Sequence, residues 1–518
     1  MRIKNSVKNI YVSLLTQLVV IALGFISRKV FLDSLGTEYL GVNGLLTNVL
    51  SMLSLVEGGI GISIVYNLYK PLAEKDEPRI IALVQLYKKI YGILAIIIFA
   101  LSVLIYPIVY ILFTKDTKLP YIGLVYFLFV LKDMISYFNA HKWSLINADQ
   151  RGYEIAKYNI VFKILTVVSQ IIILKLTDSY IFFLITESIV FIVQNIYNGR
   201  IVNKLYPYIK TKSKYKVDDG TKKNLITNVK ALFLHNIGSY CVFGTDNLLI
   251  SAFINIKTVG IYSNYTMVTG QMSLLSQAVL NNIGHSVGNL IATENKEKVY
   301  SVFNIIYFIN FIIYSISVIF LYNLLEPFIN LWLGDGLLLD KFTFIVILLN
   351  FYINGLRNSI NTFKSKAGIF DNDKYIPLIE SVVNLGASII LVKYFGLAGI
   401  FIGTTISTIA FPLWIQSNLV YKNVFEKPIS CYFKKYIFYI AITIFTCFIT
   451  TKICSIVTLP LSFFSLIVKG LICVFVPSIF YTIIFFRTYE FKYIFELAKS
   501  FLKVFKSKFI LNRYNNNF

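Results

Sequence analysis

Charged side chains inside long apolar stretches are the residues of this sequence most able to do chemistry. A charge at the centre of a bilayer costs at least about 2.5–3.5 kcal/mol, so it normally faces a cavity or a partner. The acidic members are Glu57, Asp133, Glu187, Asp246 and Glu380, and the basic members are Arg28, Lys29, Lys132, Lys163, Lys230, Arg357 and Lys469. Each is a candidate for ligand binding, and each can equally be half of an ion pair between two helices.

Arg28 is the candidate for binding an anion. A guanidinium stays charged and binds phosphate through two parallel hydrogen bonds. We expect Arg28 to line a cavity, and a structural bridge between helices is the alternative. Asp246 is either its resting counter-charge or a cation site. Lys132 and Asp133 are adjacent, hence about 100° apart around a helix, and each is expected to pair with a different helix.

Polar residues, most of them uncharged, recur at helical spacing in the second half of the chain. Residues three, four or seven apart share one face of a helix. One stripe contains His235, Ser239 and Asp246, and the next contains Ser273, Gln277, Asn281 and His285, broadened by Gln271 and Asn282. These groups suit sugar hydroxyls or a water-filled cleft, and hydrogen bonding between helices explains them equally well.

The composition places these residues in a membrane. The chain has 518 residues, of which 57% are hydrophobic and 14% charged, whereas soluble domains carry about 25% charged residues. We therefore predict an all-α polytopic membrane protein with about 14 transmembrane helices. We interpret the net charge of +23 as attraction to an anionic inner leaflet and as control of the membrane topology. We do not expect nucleic acid as a partner.

The distribution of Lys and Arg predicts the orientation. With the N-terminus inside, the predicted inner segments hold about five times as many basic residues as the outer loops, which indicates cytoplasmic N- and C-termini. The predicted organisation is an N-lobe of six spans (1–210), a basic cytoplasmic linker (211–224), a C-lobe of six spans (225–424), two extra spans (425–486) and a basic amphipathic cytoplasmic tail (487–518). The tail is expected to lie on the inner membrane surface, with a solvated tail as the alternative.

The two predicted lobes repeat each other. At an offset of 219 residues, Lys4, Asn5, Asn9 and Gly41 fall on Lys223, Asn224, Asn228 and Gly260. In the same register Ser27 matches Asp246 and Arg28 matches Asn247. Because each copy has an even number of spans, both have the same orientation, as in a parallel repeat about an axis along the membrane normal.

Two motifs of other functions are missing from the sequence. It contains no GxxxxGK[ST] phosphate loop and no HExxH, so neither an ATP-driven pump nor an enzyme is predicted. The histidines are far apart, and the five cysteines show no CxxC spacing and are expected in the core. We predict no metal site and no cofactor. The first apolar run is too long for the core of a cleavable signal peptide.

Several short motifs are similar to those of one family. They are Lys4-Asn5, Gly24-Phe25-Ile26-Ser27-Arg28, Leu35-Gly36-x2-Tyr39-Leu40-Gly41, Asn147-Ala148-Asp149-Gln150 and Leu331-Trp332-Leu333-Gly334. The chain as a whole resembles polysaccharide and O-antigen flippases of the Wzx type. This is the oligosaccharidyl-lipid branch of the superfamily that includes multidrug exporters and lipid II flippases.

The resemblance implies two six-helix lobes around a cationic cavity in the bacterial inner membrane. The expected substrate is an undecaprenyl-pyrophosphate-linked oligosaccharide, carried by alternating access toward capsule or O-antigen, with membrane lipids and a polysaccharide polymerase or assembly machinery as partners. Arg28 is similar to a cavity arginine of lipid II flippases and would bind the pyrophosphate, assisted by Arg357 or Lys132.

The resemblance also implies ion coupling and leaves rival functions open. Coupling to Na⁺, H⁺ or the membrane potential is expected, with Glu57, Asp246 and Glu380 as candidates. The alternatives are a lipid II flippase and a cation-coupled multidrug exporter. A membrane glycan polymerase is disfavoured by the short predicted outer loops.

Overall fold

The computed structural model describes residues 2–57, 60–116, 121–149, 151–223, 225, 226, 229, 240, 244–369, 373, 375–496 and 499. Side chains are described for these residues except 2–18, 56, 62, 114–116, 275, 278–286, 288, 289 and 292. The described residues are helical almost throughout, and none of them lies in a β-strand. This is the fold expected of a chain in lipid, where a helix satisfies its own backbone hydrogen bonds.

Eight helices form the first part of the chain. They are α1 (Arg2–Leu35), α2 (Thr37–Leu53), α3 (Ile60–Glu74), α4 (Glu77–Asp116), α5 (Ile122–Tyr137), α6 (Ala140–Ala148), α7 (Tyr153–Thr177) and α8 (Tyr180–Leu205). A short 3₁₀ turn, Ser54–Glu57, follows α2.

Nine further helices are described after the linker. They are α9 (Asp246–Phe253), α10 (Ile256–Thr293), α11 (Lys296–Leu333), α12 (Lys341–Lys366), α13 (Ile376–Phe395), α14 (Leu397–Ala410), α15 (Pro412–Val420), α16 (Ser430–Ile456) and α17 (Phe463–Phe485). Side-chain caps begin three of them. Asn295 accepts from the Lys298 N–H before α11, Asp340 caps α12, and Ser462 caps α17.

The chain is an all-α polytopic membrane protein. Among the described residues, eight helices are long and apolar enough to cross a bilayer, and the pair α5 and α6, bent by 46°, brings the number to nine. Apolar side chains such as Leu104 and Ile111 on α4 point away from the protein, as expected for a surface that faces acyl chains. The figure of about 14 spans stays a prediction, because half of residues 225–254, where we predict the first span of the C-lobe, lies outside the described residues.

The chain divides into two compact units. The first contains Met1–Asn264 with Lys374–Gly403, and the second contains Tyr265–Asp373 with Thr404–Phe518. The predicted lobe boundaries stay a prediction. The predicted amphipathic tail falls mostly outside the described residues.

Aromatic side chains fill the interior of the second unit. The rings of Phe311 on α11 and Tyr439 on α16 stack with centroids 4.1 Å apart. Tyr307 and Phe303 continue this cluster along α11 and are fully buried. In lipid, helix association depends on such close packing rather than on the hydrophobic effect.

The linker of the first unit is tied to the start of α4. Arg79 lies 3.4 Å from a carboxylate oxygen of Asp218, and the Gln85 amide donates to the Ser213 carbonyl at 2.8 Å. Thr221 donates its backbone N–H and its hydroxyl to Asp218, and these hydrogen bonds lower the pKa of that carboxyl. The predicted linker is therefore bound to the helices beside it.

Candidate functional site

Arg28 lies near the end of α1 and reaches the start of α10. Its guanidinium donates to the Ser263 hydroxyl at 2.8 Å and to the Asn264 side-chain oxygen at 3.5 Å. Ser263 passes a hydrogen bond on to the Gly260 carbonyl at 2.7 Å. These acceptors are neutral, and within the described part of the chain no carboxylate forms an ion pair with Arg28. Arg28 therefore bridges α1 and α10 through neutral groups, and its role in binding an anion stays a prediction.

Two glycines bring the backbones of α2 and α10 together beside Arg28. A Cβ atom at Gly41 would overlap the carbonyl oxygen of Ile256, and a Cβ atom at Gly260 would overlap that of Thr37. At the offset of 219 residues, Gly41 corresponds to Gly260 and Thr37 to Ile256. The two contacts are therefore one contact and its twofold copy, as in a two-fold interface where each patch meets itself.

The same local twofold relates Arg28 to Asn247. The Asn247 amide donates to the Gly44 carbonyl at 3.4 Å, and Gly44 corresponds to Ser263 at the offset of 219. The pair Arg28 and Ser263 is thus the counterpart of the pair Asn247 and Gly44. These contacts agree with the predicted repeat register and place Arg28 beside the local twofold.

Asp246 does not neutralise Arg28 in this structure. It is the first residue of α9, and it accepts a hydrogen bond from the Tyr262 hydroxyl at 3.3 Å. Its other carboxylate oxygen is buried and has no hydrogen-bond partner. In this structure Tyr262 rather than Arg28 bonds the carboxylate, and the role of Asp246 as the resting counter-charge of Arg28 stays a prediction. The cation-site role stays a prediction.

Lys132 is engaged by a carboxylate. Its ammonium lies 2.6 Å from Glu187 on α8, and the Gln170 amide lies 3.4 Å from the other Glu187 oxygen. The expectation that Lys132 pairs with a different helix is confirmed. In this structure Glu187 compensates its charge, and the expectation that Lys132 assists Arg28 stays a prediction.

Arg357 and Glu380 are buried in different units. Arg357 is 7% exposed and donates to Asn354 and Gln416, both at 3.1 Å. It belongs to the second unit, whereas Glu380, 6% exposed on α13, belongs to the first. The combined action of Arg28 and Arg357 on one ligand stays a prediction.

The predicted polar stripes are only partly described. Gln271 is half-buried on α10, and the side chain of Gln277 is exposed. Asn281 and His285 lie on α10, but their side chains are outside the described set, and His235 and Ser239 lie outside the described residues altogether. Their role as sugar ligands stays a prediction.

The first unit also contains a polar cavity of about 520 Å³ that the sequence did not predict. We name it the acidic cavity. It is lined by Ser54, Glu57, Tyr91, Asp133, Ser136, Tyr137, Ala140, Trp143, Ile155, Asn159, Phe191, Gln194, Asn195 and Asn198. This lining holds two carboxyl groups and no basic side chain. The Tyr91 hydroxyl donates to Glu57 at 3.2 Å.

Side-chain amides form one wall of the acidic cavity. The Asn159 oxygen accepts hydrogen bonds from Gln194 at 2.9 Å and from Asn198 at 2.7 Å. The side-chain oxygen of Asn198 and one carboxylate oxygen of Asp133 are buried without a hydrogen-bond partner. The spacing of Gln194 and Asn198, four residues apart on one helix face, is the signal from which this wall could have been predicted.

The second unit carries an apolar groove of about 730 Å³. It runs between α12, α15 and α16, and Trp414, Phe433 and Tyr436 form part of its lining. The rings of Trp414 and Phe433 lie with centroids 4.1 Å apart. A groove lined almost entirely by aliphatic and aromatic side chains suits a hydrocarbon chain.

A family match covers the region that contains Arg28, the paired glycines and the acidic cavity. Residues 6–287, more than half of the chain, match the family described as "Polysaccharide biosynthesis protein". The chain belongs to this family. Among curated proteins, no sequence matches this member of the polysaccharide biosynthesis protein family.

Solved structures of transporters share the fold of this polysaccharide biosynthesis protein. The lipid II flippase MurJ, in an inward closed conformation, matches with a TM-score of 0.63 and 16% identity over 93% of this chain and 99% of that chain. A mutant of the Vibrio cholerae MATE transporter VcmN matches with 0.57 and 11% identity over 82% and 98%. An inward-facing multidrug resistance MATE transporter matches with 0.56 and 14% identity over 77% and 94%. These three proteins are named as a flippase and transporters, and their likeness to this chain is one of fold.

Proposed function

We propose that this protein is a Wzx-type flippase of the bacterial inner membrane. It moves undecaprenyl-pyrophosphate-linked oligosaccharide units from the inner to the outer leaflet, where they become capsule, O-antigen or a related surface polymer. The observation that carries the proposal is the guanidinium of Arg28, held by neutral oxygens of Ser263 and Asn264 in a member of the polysaccharide biosynthesis family.

Arg28 binds the pyrophosphate in this proposal. The headgroup loses its hydration shell and gains hydrogen bonds from the Arg28 guanidinium, which Ser263 already orients. These bonds lower the free energy needed to move a phosphate through lipid. Arg357 is the second basic group proposed to assist in binding the headgroup. Alternating access, biased by Na⁺, H⁺ or the membrane potential, then carries the sugar across. Glu57, Asp246 and Glu380 remain the candidates for coupling.

The apolar groove accommodates the polyprenyl chain. Trp414 and Tyr436 contribute aromatic surface to a lining that is otherwise mainly aliphatic, with few polar atoms. An isoprenoid of undecaprenyl length needs such a path while its headgroup crosses. The termini are cytoplasmic in this proposal, and the basic inner segments attract the anionic carrier and the inner leaflet. A polysaccharide polymerase or assembly complex receives the product.

A cation-coupled drug exporter is the second candidate. The acidic cavity favours it, because two carboxyl groups with aromatic neighbours and no basic side chain suit an organic cation. A lipid II flippase is the third candidate and differs from the first only in the glycan.

Deletion of the gene followed by analysis of lipid-linked glycans tests the proposal. The expected result is accumulation of one undecaprenyl-linked glycan on the inner leaflet together with loss of one surface polymer. Accumulation of lipid II would indicate the third candidate. Unchanged glycans with increased sensitivity to cationic drugs would indicate the second and overturn the proposal.

A further inference from the structure

We propose that the acidic cavity binds a sugar of the transported glycan that carries a protonated amine. The inference rests on the proposed function, because it assigns a substrate group to a site in the same transporter. It concerns a site distinct from Arg28 and formed by α4 to α8 with the 3₁₀ turn Ser54–Glu57.

The size of the acidic cavity fits an organic ligand. Its volume of about 520 Å³ lies in the range of about 300–1,000 Å³ that is typical of small-molecule pockets. A bare metal ion needs only a small part of this space. In the described portion of the chain, no group of three or more His, Cys, Asp or Glu residues is placed to hold a metal.

The side chains that line the acidic cavity favour a ligand that is positively charged and donates hydrogen bonds. Glu57 and Asp133 contribute carboxyl groups, and no Lys, Arg or His side chain lines the cavity to compensate them. Asn198, 4% exposed, and Asp133 each leave a buried oxygen without a hydrogen-bond donor. Buried acceptors of this kind require a ligand that donates hydrogen bonds, and an ammonium group supplies three donors and a charge.

Aromatic residues complete a surface suited to a sugar ring. Tyr91, Tyr137, Trp143 and Phe191 line the same cavity as the carboxyl groups. The apolar C–H face of a pyranose packs on such rings, while its hydroxyl groups reach the amides of Asn159, Gln194 and Asn195. Aromatic faces also attract an ammonium group. An acidic sugar would bring a third carboxylate to this lining and is therefore excluded.

The position of the cavity fits loading from the cytoplasm. Trp143 lies six residues before the turn at Asp149, Asn159 lies seven residues after Gly152, and Asn198 lies near the end of α8. These helix ends face the predicted cytoplasmic side. The cavity therefore lies in the half of the membrane where the glycan is synthesised.

Tryptophan fluorescence provides a direct test with the full chain in lipid nanodiscs. The sequence has three tryptophans, and Trp143 is the one that lines the acidic cavity. We expect glucosamine to change the fluorescence saturably at millimolar concentration, with glucose at least about tenfold weaker and glucuronate without effect up to 100 mM. The change must be absent in Trp143→Phe, which keeps an aromatic ring and leaves Trp332 and Trp414 in place.

Carboxyl-to-amide variants locate the site. Glu57→Gln and Asp133→Asn should each weaken glucosamine binding by about tenfold. Glu74→Gln, a matched change outside the cavity, should leave it unaltered. Two separate variants are used so that loss of folding in one, detected by size-exclusion chromatography, leaves the other as the test.

Three results would overturn the inference. They are no response to glucosamine, an equal response to glucose and glucosamine, and a saturable response to NaCl alone, which would make the cavity a cation site. The deletion experiment remains independent. Glycan accumulation without sugar binding would remove the inference and keep the flippase. Sugar binding without any glycan phenotype would overturn the flippase and, with it, the assignment of the bound sugar to a transported glycan.

Discussion

The two copies of the contact at the local twofold have the same backbone but different chemistry. On both sides a glycine, Gly41 or Gly260, lets one helix touch the peptide of the other. One copy then adds an arginine that bonds a serine hydroxyl, whereas the other places Asn247 against the bare carbonyl of Gly44. The repeat thus forms the glycine-to-carbonyl contact twice, and a positive charge, that of Arg28, lies beside only one of the two copies. An asymmetric site of this kind suits the asymmetric ligand proposed above, a pyrophosphate with one sugar chain.

Removing the single charge should have the largest effect. Arg28→Ala should reduce export of the surface polymer at least about tenfold and leave the lipid-linked precursor on the inner leaflet, because a charged hydrogen bond to phosphate is lost. Arg28→Lys should retain part of the export, since a point charge replaces the fork. Polymer is measured on the cell surface, with protein amount checked by immunoblot.

The counterpart position provides the matched control for Arg28. Asn247→Ala removes only a 3.4 Å hydrogen bond and should leave export within about twofold of the wild type. Equal losses in Arg28→Ala and Asn247→Ala would contradict the asymmetry.

Breaking the shared backbone contact should lower stability on both sides alike. Gly41→Val and Gly260→Val each force a side chain against a carbonyl oxygen, at a cost of about 1–3 kcal/mol or more. We expect similar decreases in Tm for the two variants in detergent, measured by scanning fluorimetry. Gly92→Ala is the control, because a Cβ at Gly92 on α4 meets open space, and Ala favours a helix by about 1 kcal/mol. A decrease in Tm for only one of the two valine variants would argue against the twofold.

A compensated charge should behave differently from Arg28. Lys132→Met leaves Glu187 without its partner at 2.6 Å and should lower Tm, because an unpaired charge remains in the membrane. The double variant Lys132→Met with Glu187→Leu should recover most of the lost Tm and export normally. Failure of the double variant to export although it is stable would return Lys132 to the substrate site.

The smallest effect is expected at the hydroxyl that orients Arg28. Ser263→Gly makes the first copy resemble the second and removes the hydrogen bond at 2.8 Å. The expected loss in export is about two- to tenfold, in line with a contribution of about 0.5–1.5 kcal/mol. Export measured at low expression reveals such a change. An unaltered rate would show that Arg28 needs no positioning by Ser263.

The features that follow from composition and local pattern were predictable from the sequence. The apolar runs predicted the all-α membrane fold, and the match of Gly41 with Gly260 predicted the register that the paired contacts display. The partner of Lys132 was not predictable, because adjacency in sequence gives the direction of a side chain and not the neighbour it meets. The same holds for Tyr262, which occupies the place expected for Arg28 beside Asp246.

The acidic cavity shows more clearly what could not be predicted from the sequence. Its carboxyl groups, Glu57 and Asp133, lie 76 positions apart, and its amide wall comes from two further helices. Each residue alone has an ordinary explanation as a packing group. Only the fold reveals that these side chains line one cavity.

The close contacts of Gly41 with the Ile256 carbonyl and of Gly260 with the Thr37 carbonyl affect how α2 and α10 can move against each other. Interlocked side chains resist rolling, because they must leave one set of rotamers and find another. Neither Gly41 nor Gly260 has a side chain that must change rotamer, so we expect the two helices to roll against each other there with little resistance. In the proposed transport cycle this contact is the expected pivot, and the guanidinium that binds the ligand lies next to it through Ser263.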